Sequence, residues 1–201
     1  MQFSSTLLND AVEAFSSLPG IGKKTALRLV LHLINQEVSV TQKFSKDLLQ
    51  MREQIRHCIK CHNISDSELC IVCQDKKRDL SVICLVEDIR DVIAIESTGQ
   101  YFGGYHILGG IISPIEGIGP ADLNIDSLMR RIEEEEVKEL IMAVSPTIEG
   151  ETTIFYISKM LSEKHVKVST IARGVSFGGE LQYADEVTLG RSIMSRTEYT
   201  R

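Results

Sequence analysis

Four cysteines occur as two closely spaced pairs in the segment 58-CIKCHNISDSELCIVC-73. The spacing C-x2-C-x8-C-x2-C allows each pair to chelate an ion, so four thiolates can converge on a single tetrahedral Zn²⁺. Disulfide bonds are the competing explanation, and the reducing compartment that we expect for this chain disfavours them. We therefore predict one zinc ion per chain, bound by Cys58, Cys61, Cys70 and Cys73.

Four sulfur ligands would complete the coordination sphere of such an ion. Because no position is left for a water molecule or a substrate, the site is expected to be structural rather than catalytic. His57 and His62 flank the cysteines, but two complete pairs make these histidines more consistent with surface residues. Cys84 lies in an apolar run and is expected to be a core residue without a chemical role.

The stretch 18-LPGIGKKTALR-28 is the second group of residues that could bind a ligand. Pro19, Gly20 and Gly22 interrupt a helical pattern that resumes at once with two lysines. Glycine accepts positive φ and close approach of the main chain, and the first amides of the next helix have no intrahelical partner. Together with the positive end of the helix dipole, these amides form a site suited to a phosphate oxygen.

The order helix, P-G-h-G turn (h, hydrophobic) and helix resembles the helix-hairpin-helix motif of proteins that bind DNA irrespective of its sequence. The turn and the start of the next helix supply the expected phosphate contacts: Gly20, Gly22, Lys23, Lys24, Thr25 and Arg28. An ordinary pair of helices with solvated lysines is the alternative. A dinucleotide-binding fingerprint is excluded, because G-x-G-x-x-G fails at Thr25 and a helix precedes the turn.

Acidic residues follow two apolar runs in the second part of the chain. The run 81-SVICLVE-87 ends in Glu87 and is followed by Asp88 and Asp91, and Glu149 and Glu151 follow 138-KELIMAV-144. Open α/β sheets place their sites at the carboxyl ends of strands, so these acids could form a Mg²⁺ site of a nuclease or primase-like enzyme. Helix capping explains them equally well, because the helix dipole favours acids in a first turn.

Hydrophobic periodicity predicts the elements that position these groups. Helical spacing predicts one helix near residues 6–17, a second after the P-G-h-G turn and a third near 44–57. Apolar, β-branched runs predict four strands, near residues 81–87, 105–110, 138–144 and 166–172. Helical patterns separate most of the strands, near residues 88–97, 125–136 and 151–164. The sequence therefore predicts a multi-part α/β protein that is helical before the cysteine cluster and has a mainly parallel sheet after a boundary near residue 80.

The formal net charge is −6, but the charge is unevenly distributed. Residues 1–80 contain 11 Lys or Arg and 9 Asp or Glu, a net charge of +2. Residues 81–201 contain 11 and 19, a net charge of −8. A polyanion is therefore expected to bind the amino-terminal part, and the acidic remainder suits a protein partner or a metal ion.

Nothing in the sequence predicts contact with a membrane. No apolar run approaches the ~18 residues that a membrane-spanning helix needs. The amino terminus, MQFSSTLLNDAVEAF, has no basic region and carries Asp10 and Glu13 where a secretion signal would be apolar. We expect a cytoplasmic protein.

The motifs in this order resemble the RecR family of bacterial recombination mediators. The matching stretches run from LPGIGKKTA through CIKC and CIVC, VEDIRD, GGIISPIEGIGP and SPTIEGE to RGVSFGGELQYAD. Each motif alone is common, but the set is specific and covers essentially the whole chain. The resemblance implies a DNA-binding protein of recombinational repair rather than an enzyme.

The resemblance also implies a division into four parts. They are a helix-hairpin-helix region at 1–56, a zinc knuckle at 57–80, a Toprim domain at 81–173 and a C-terminal segment at 174–201. The C-terminal segment would carry a Walker B-like stretch and an oligomerisation region. Without a GxxxxGK[ST] element, nucleotide hydrolysis is not expected.

A departure from the catalytic Toprim pattern bears on the acids. The Toprim module is shared with topoisomerases and bacterial primases, and Glu87 matches its glutamate motif. Catalytic members carry a D-x-D pair after a later strand, where this chain has Ser145 and Thr147. Two-metal chemistry would lack ligands without that pair. The resemblance therefore implies a Toprim domain that binds partners. The expected partner-binding residues are Glu87, Asp88, Asp91 and Glu149.

Members of this family form ring-shaped tetramers that can encircle DNA. They act with RecO and RecF to load the recombinase RecA onto single-stranded or gapped DNA. The resemblance implies the same partners and a ring tetramer for this chain. Several copies that turn basic hairpins toward one channel would explain how a net-acidic protein holds DNA.

Overall fold

The chain folds as two units, residues 1–55 and 56–201, in a computed structural model that describes residues 5–175, 178 and 180–198. The first unit consists of helices α1 (Thr6–Ser16), α2 (Lys23–Ile34) and α3 (Val38–Gln54). The Ser5 side chain caps α1 by accepting a hydrogen bond from the amide of Leu8. The helix expected near 44–57 is α3, which begins earlier, at Val38, and ends earlier, at Gln54.

Packing between α1 and α2 holds the first unit together. Val12 on α1 and Ala26 and Val30 on α2 are buried, at the positions that helical spacing assigns to one face. Phe15 and Ile21 pack against this cluster beside the turn. No side chain of α3 is buried against the described residues, so this helix presents an uncovered apolar face.

A small knuckle opens the second unit. Strands β1 (Arg56–His57) and β2 (Ile64–Ser65) pair antiparallel, and the short helix α4 (Ile71–Gln74) follows. His62 adopts φ +63° in the turn between the strands. The amide of His62 donates to the carbonyl of Cys58 at 2.9 Å, which closes that turn.

Four parallel strands form the sheet of the second unit, in the order β4-β3-β5-β6. They are β3 (Asp79–Val86), β4 (Gly103–Ile107), β5 (Glu139–Ala143) and β6 (Lys167–Thr170). The mainly parallel α/β sheet predicted from the sequence is confirmed. The expected strand at 105–110 ends early because Gly109 and Gly110 adopt positive φ, at +85° and +155°.

Both faces of this sheet are covered, one by two helices and the other by a helix and the knuckle. The connecting helices are α5 (Ile89–Glu96), α6 (Ile125–Glu134) and α7 (Ile148–Met160), and α8 (Glu186–Met194) lies near the carboxyl terminus. Side chains alternate along β3. Ile83 and Leu85 pack in the cluster that contains α6 and α7, whereas Cys84 and Val86 pack in the cluster that contains the knuckle and α5.

The strand order reverses direction between β3 and β5. The chain moves from β3 to β4 on one side and from β5 to β6 on the other, so the carboxyl ends of β3 and β5 border the switch point where such sheets bind ligands. Glu87 directly follows β3, and Ser145 follows β5 by two residues. None of the helices in the described residues has the length and apolar character needed to cross a bilayer.

The central strands should carry most of the stability of the sheet. Leu140 on β5 is fully buried, and its partner in register on β6 is Val168, which is 37% exposed. We expect Leu140→Ala to lower the free energy of unfolding by about 2–5 kcal/mol. Val168→Ala should change it by no more than about 1 kcal/mol. Chemical denaturation checks both values, and equal decreases would contradict the assignment of β6 as a weakly packed edge.

Candidate functional site

The turn between α1 and α2 presents bare main chain at the start of a helix. Gly20 has φ +78°, which side-chain-bearing residues rarely adopt. Gly22 has φ −79°, and nothing lies within 4 Å of the position that a Cβ would take. Folding therefore does not demand glycine at position 22. Its missing side chain leaves the first amides of α2 open to a phosphate oxygen.

Three cations surround this helix start. Lys23, Lys24 and Arg28 are exposed, and none of them forms an ion pair within the residues that the structure describes. Lys24, Thr25 and Arg28 line a shallow depression of about 330 Å³ on α2. Because these cations form no ion pair with the described residues, they can neutralise phosphates without first breaking such a pair.

The four cysteine sulfur atoms meet at one point in the knuckle. All four lie within 4.8 Å of one another, and all four residues are buried. Zn–S bonds of about 2.3 Å in a tetrahedron place sulfur atoms roughly 3.8 Å apart, and Sγ of Cys61 lies 3.5 Å from Sγ of Cys70. The arrangement fits a tetrahedral ion with soft ligands. No other group of three or more Cys, His, Asp or Glu side chains in the described ranges is placed to share a metal.

Electrostatics within this cluster favour a bound cation. The hydrogen bond to Cys70, followed by one to Cys73 and by burial, raises the pKa of the Cys61 thiol. The same contact with Cys61 lowers the pKa of Cys70. The cluster thus resists holding several thiolates by itself. A divalent cation would release the remaining protons as it bound.

The knuckle is attached to the outer edge of the sheet. The amide of Ile107 on β4 donates to the carbonyl of Cys61 at 2.9 Å. The cysteines also share an apolar cluster with Cys84, Val86 and Tyr105. Cys84 is a buried core residue, as predicted. The metal site is therefore continuous with the sheet rather than a separate appendage.

Side chains satisfy the outward-facing carbonyls of the same edge strand. The guanidinium of Arg78 donates to the carbonyl of Gly103 at 3.1 Å, and that of Arg131 donates to the carbonyl of Tyr105 at 2.7 Å. The amide of Asn124 donates to the carbonyl of Ile107 at 3.0 Å. Together with the knuckle, these groups close β4 against further strand pairing.

Sequence reasoning missed a buried polar cluster beside the metal centre. His62 is half-buried, and its Nε2 lies 2.8 Å from Oγ of Ser127 on α6. The His62 ring packs edge-on against His106, with ring centroids 5.2 Å apart. Burial lowers the pKa of His106 to about 3. Arg131 is 4% exposed, and it lies on α6 three residues after the buried Leu128, at the border of the apolar face.

Two of the acids after β3 cap a helix, which is one of the two explanations that the sequence left open. Asp91 Oδ2 accepts hydrogen bonds from the amides of Glu87 and Asp88, both at 3.1 Å. Asp88 accepts from the amide of Arg90 at 2.7 Å, so Asp88 and Asp91 form a capping box on α5. The Arg90 guanidinium lowers the pKa of Asp88. Glu87 has no such role, and Ser145 across the switch point lies near enough to favour the ionised form of its carboxyl.

The residues after β5 start α7. Thr147 caps this helix, because its hydroxyl oxygen accepts from the amide of Gly150 at 3.1 Å. Glu149 is half-buried in the first turn. Glu87, Asp91 and Glu149 do not form a group that could share a metal ion in the described residues. The structure thus places Glu87 and Ser145 together and leaves Glu149 outside a common ligand set.

A cleft of about 560 Å³ lies beside these residues. Asp91 and Ser145 line it together with Arg173, Asp185 and Arg191. Asp185 ends the Walker B-like stretch and caps α8 by accepting from the amide of Thr188 at 2.9 Å. Within that stretch, residues 176, 177 and 179 lie outside the described residues.

Family models match three consecutive stretches of this chain. A model described as RecR, helix-hairpin-helix matches residues 8–52, and a Toprim domain model matches residues 81–172. A model described as RecR, C-terminal matches residues 174–197. The matches contain the α1–α2 turn, the switch-point acids and α8, respectively.

The whole chain is similar to proteins named Recombination protein RecR. It is 61% identical over 198 residues to the one from Cytophaga hutchinsonii, covering 98% of this chain and 97% of that protein. It is 56% identical over 201 residues to the one from Flavobacterium johnsoniae, with coverage of 100% and 98%. The protein from Bacteroides fragilis is 54% identical over 199 residues, with coverage of 99% and 97%.

The surroundings of Glu87 predict a pH-dependent gain in stability when its charge is removed. Burial, followed by the charges of Asp91 and Asp88, raises the pKa of the Glu87 carboxyl. Ionised Glu87 therefore opposes folding at a pH above its folded-state pKa, and the opposition disappears once the pH is low enough for protonation in both states. We expect Glu87→Gln, which can still hydrogen bond with Ser145, to raise the melting temperature at pH 8 but not at pH 4.

Thermal denaturation of both proteins at the two pH values checks this expectation. Asp91→Ala is the control, because it removes the acceptor of two amides and should lower the melting temperature at pH 8. A lower melting temperature for Glu87→Gln at pH 8 would show that the ionised carboxylate stabilises the fold, contrary to the argument.

Proposed function

Because this chain belongs to the RecR family, we propose that it is a non-enzymatic DNA clamp and adaptor in recombinational DNA repair. The observation that carries this proposal is the α1–α2 turn, where bare amides lie beside cations that form no ion pair with the residues the structure describes. The proposed site of action is the bacterial cytoplasm, where the chromosome lies.

The DNA contact is proposed to involve phosphates and not bases. Gly20 and Gly22 supply the turn and close approach, Thr25 lies in the first helical turn, and Lys23, Lys24 and Arg28 supply charge. Amides and cations at a helix start suit phosphate oxygens, which carry no sequence information, so the contact is independent of sequence. Each copy makes few contacts, and binding would depend on several copies acting together.

Self-assembly is supported by apolar surface on both units. In the first unit, a groove of about 720 Å³ is lined by apolar side chains that include Phe15, Ile34, Phe44 and Leu48. In the second unit, α8 exposes Val187, Ile193 and Met194. We propose that such surfaces are covered in a ring tetramer, with residues 174–201 as an oligomerisation region and residues 1–56 as the DNA-binding region.

The knuckle, proposed as residues 57–80, is assigned one structural zinc ion. Cys58, Cys61, Cys70 and Cys73 would hold it, and four sulfur ligands leave no open position for chemistry. When bound, the ion supplies only the cross-link between the two cysteine pairs. Its proposed task is to keep the knuckle on the edge of β4.

The Toprim domain, proposed as residues 81–173, is assigned to partner binding. Glu87, Asp88, Asp91 and Glu149 supply negative charge at the carboxyl edge of the sheet. A basic surface of a RecO-type or RecF-type protein is the proposed partner, and the outcome is loading of RecA onto single-stranded or gapped DNA. Ser145 and Thr147 occupy the place of the catalytic D-x-D pair, and the Thr147 side chain serves as a helix cap.

Reversing the hairpin charges should weaken DNA binding. We expect Lys23→Glu/Lys24→Glu to weaken binding to labelled gapped DNA at least about ten-fold at 50 mM salt. We also expect a shallower dependence of log affinity on log salt, by ~0.9 for each duplex phosphate that the variant no longer neutralises. A binding series at increasing salt measures both quantities.

Lys76→Glu/Lys77→Glu is the matched control. These adjacent lysines are also exposed but belong to the second unit, and their reversal changes net charge equally. Equally weakened binding in both double variants would show that net charge rather than the hairpin holds DNA. Each sample is also run on a denaturing gel with Mg²⁺ present, and shortened DNA would make this protein a nuclease.

Zinc content and stability should depend on the four cysteines together. We expect one zinc ion per chain in the wild type and in the control Cys84→Ala. We expect Cys61→Ser to contain no zinc and to have a lower melting temperature, because metal binding and folding of such sites are coupled. Elemental analysis and thermal denaturation make the comparison. Zinc-free wild-type protein, purified without chelator, would contradict the assignment.

A further inference from the structure

The loop after β4 is a hydrogen-bonded hairpin, here called the tip hairpin (residues 109–119). Ser113 and Ile118 exchange two main-chain hydrogen bonds, at 3.0 and 2.9 Å. The amide of Glu116 donates to the carbonyl of Ser113 at 3.1 Å. Gly117 adopts φ +74° and completes the reversal. The loop therefore has one defined backbone conformation.

Two further contacts fix the base of the tip hairpin to the acidic edge of the sheet. The amide of Gly109 donates to the carbonyl of Glu87 at 3.0 Å. The amide of Ile112 donates to the buried hydroxyl of Thr153 at 2.9 Å, and that hydroxyl donates to the carbonyl of Glu149. The hairpin is thus joined by direct hydrogen bonds to the main chain of Glu87 and, through one hydroxyl, to that of Glu149.

The tip presents an isoleucine that the fold does not use. Ile115 is 92% exposed, whereas Ile112 is buried and Ile118 packs against the core. A single exposed apolar residue is ordinary on a flexible loop, but Ile115 is carried by a segment whose main chain is held at both ends. An apolar anchor that is already ordered loses little conformational entropy when a partner covers it. Such anchors are well suited to enter a pocket.

The charge around the tip selects the kind of partner. No lysine or arginine occurs between Arg90 and Arg130 in the sequence, and Glu116 directly follows the isoleucine. The carboxylate of Glu116 therefore repels a phosphate backbone and attracts a basic protein surface. Asp122 extends the negative charge beyond the hairpin, where it also accepts a hydrogen bond from the amide of Gly119 at 2.8 Å.

We propose that Ile115 of the tip hairpin enters an apolar pocket with a basic rim on the protein that this chain recruits. The hairpin would supply the desolvated anchor, and Glu116 and the acids at the sheet edge would orient the partner. The inference rests on the proposed adaptor function. It adds Ile115 and Glu116 to the acidic residues already proposed for partner binding.

Titration of full-length protein with purified RecO-type and RecF-type proteins of the same organism tests the proposal. We expect Ile115→Ser and Glu116→Lys each to weaken binding of at least one of them by about ten-fold or more. Phe102→Ser is the control, because Phe102 is 66% exposed and precedes β4 at the opposite end of that strand. Its affinity should match the wild type, and all variants should keep the wild-type melting temperature and DNA affinity.

Other outcomes separate the possible occupants of the tip. Wild-type affinity of Ile115→Ser for a partner that the wild type binds would overturn the inference and leave the adaptor function standing. A change in oligomeric mass would assign the tip to a second copy, and a decrease in DNA affinity alone would assign it to nucleic acid; either would overturn the inference. If the wild type bound neither protein, the adaptor function itself would fall, and this inference with it.

Discussion

The parallel pairing of β3 with β5 is the interaction on which the rest of the second unit depends. In this register Val86 lies beside Ala143, so the residues that follow the two strands meet at one edge. The same register directs Cys84 toward the knuckle and Leu85 toward α6 and α7. A slip of one residue would exchange these faces. The knuckle and the acidic edge would then both lose their positions.

The two candidate sites make different demands on the fold. The candidate phosphate site needs only a local turn and the packing of Ala26 against Val12, so it can be built within about thirty residues of helix. The candidate metal site needs distant parts of the chain, because its cysteines pack against Tyr105 and its main chain is bonded to Ile107. The charges are divided in a similar way. The cations lie at the α1–α2 turn, which is formed by neighbouring residues, and the acids lie at the edge of the sheet, which is formed by residues distant in sequence.

Local patterns explain why much of this architecture could be predicted from the sequence. Cysteine spacing, the P-G-h-G turn and the alternation of strands with helices are all readable within short segments, and the fold class predicted from them was correct. The acids were ambiguous because capping and metal binding use the same residue types. The hydrogen bonds of Asp91 decide for capping only once the main chain is in place. His106 and Arg131 were missed because their partners are distant in sequence.

The two edges of the sheet are unequal, since β4 is closed by the knuckle and by the Arg78, Arg131 and Asn124 side chains. Among the described residues, β6 pairs with β5 alone. Within the described part of the chain, β6 is therefore the edge left for another strand. Two copies that joined through β6 would give a continuous sheet with a knuckle at each end, and no edge would remain for a third. The closed β4 edge would hold such sheet growth to a pair, which is one way to avoid open-ended strand addition.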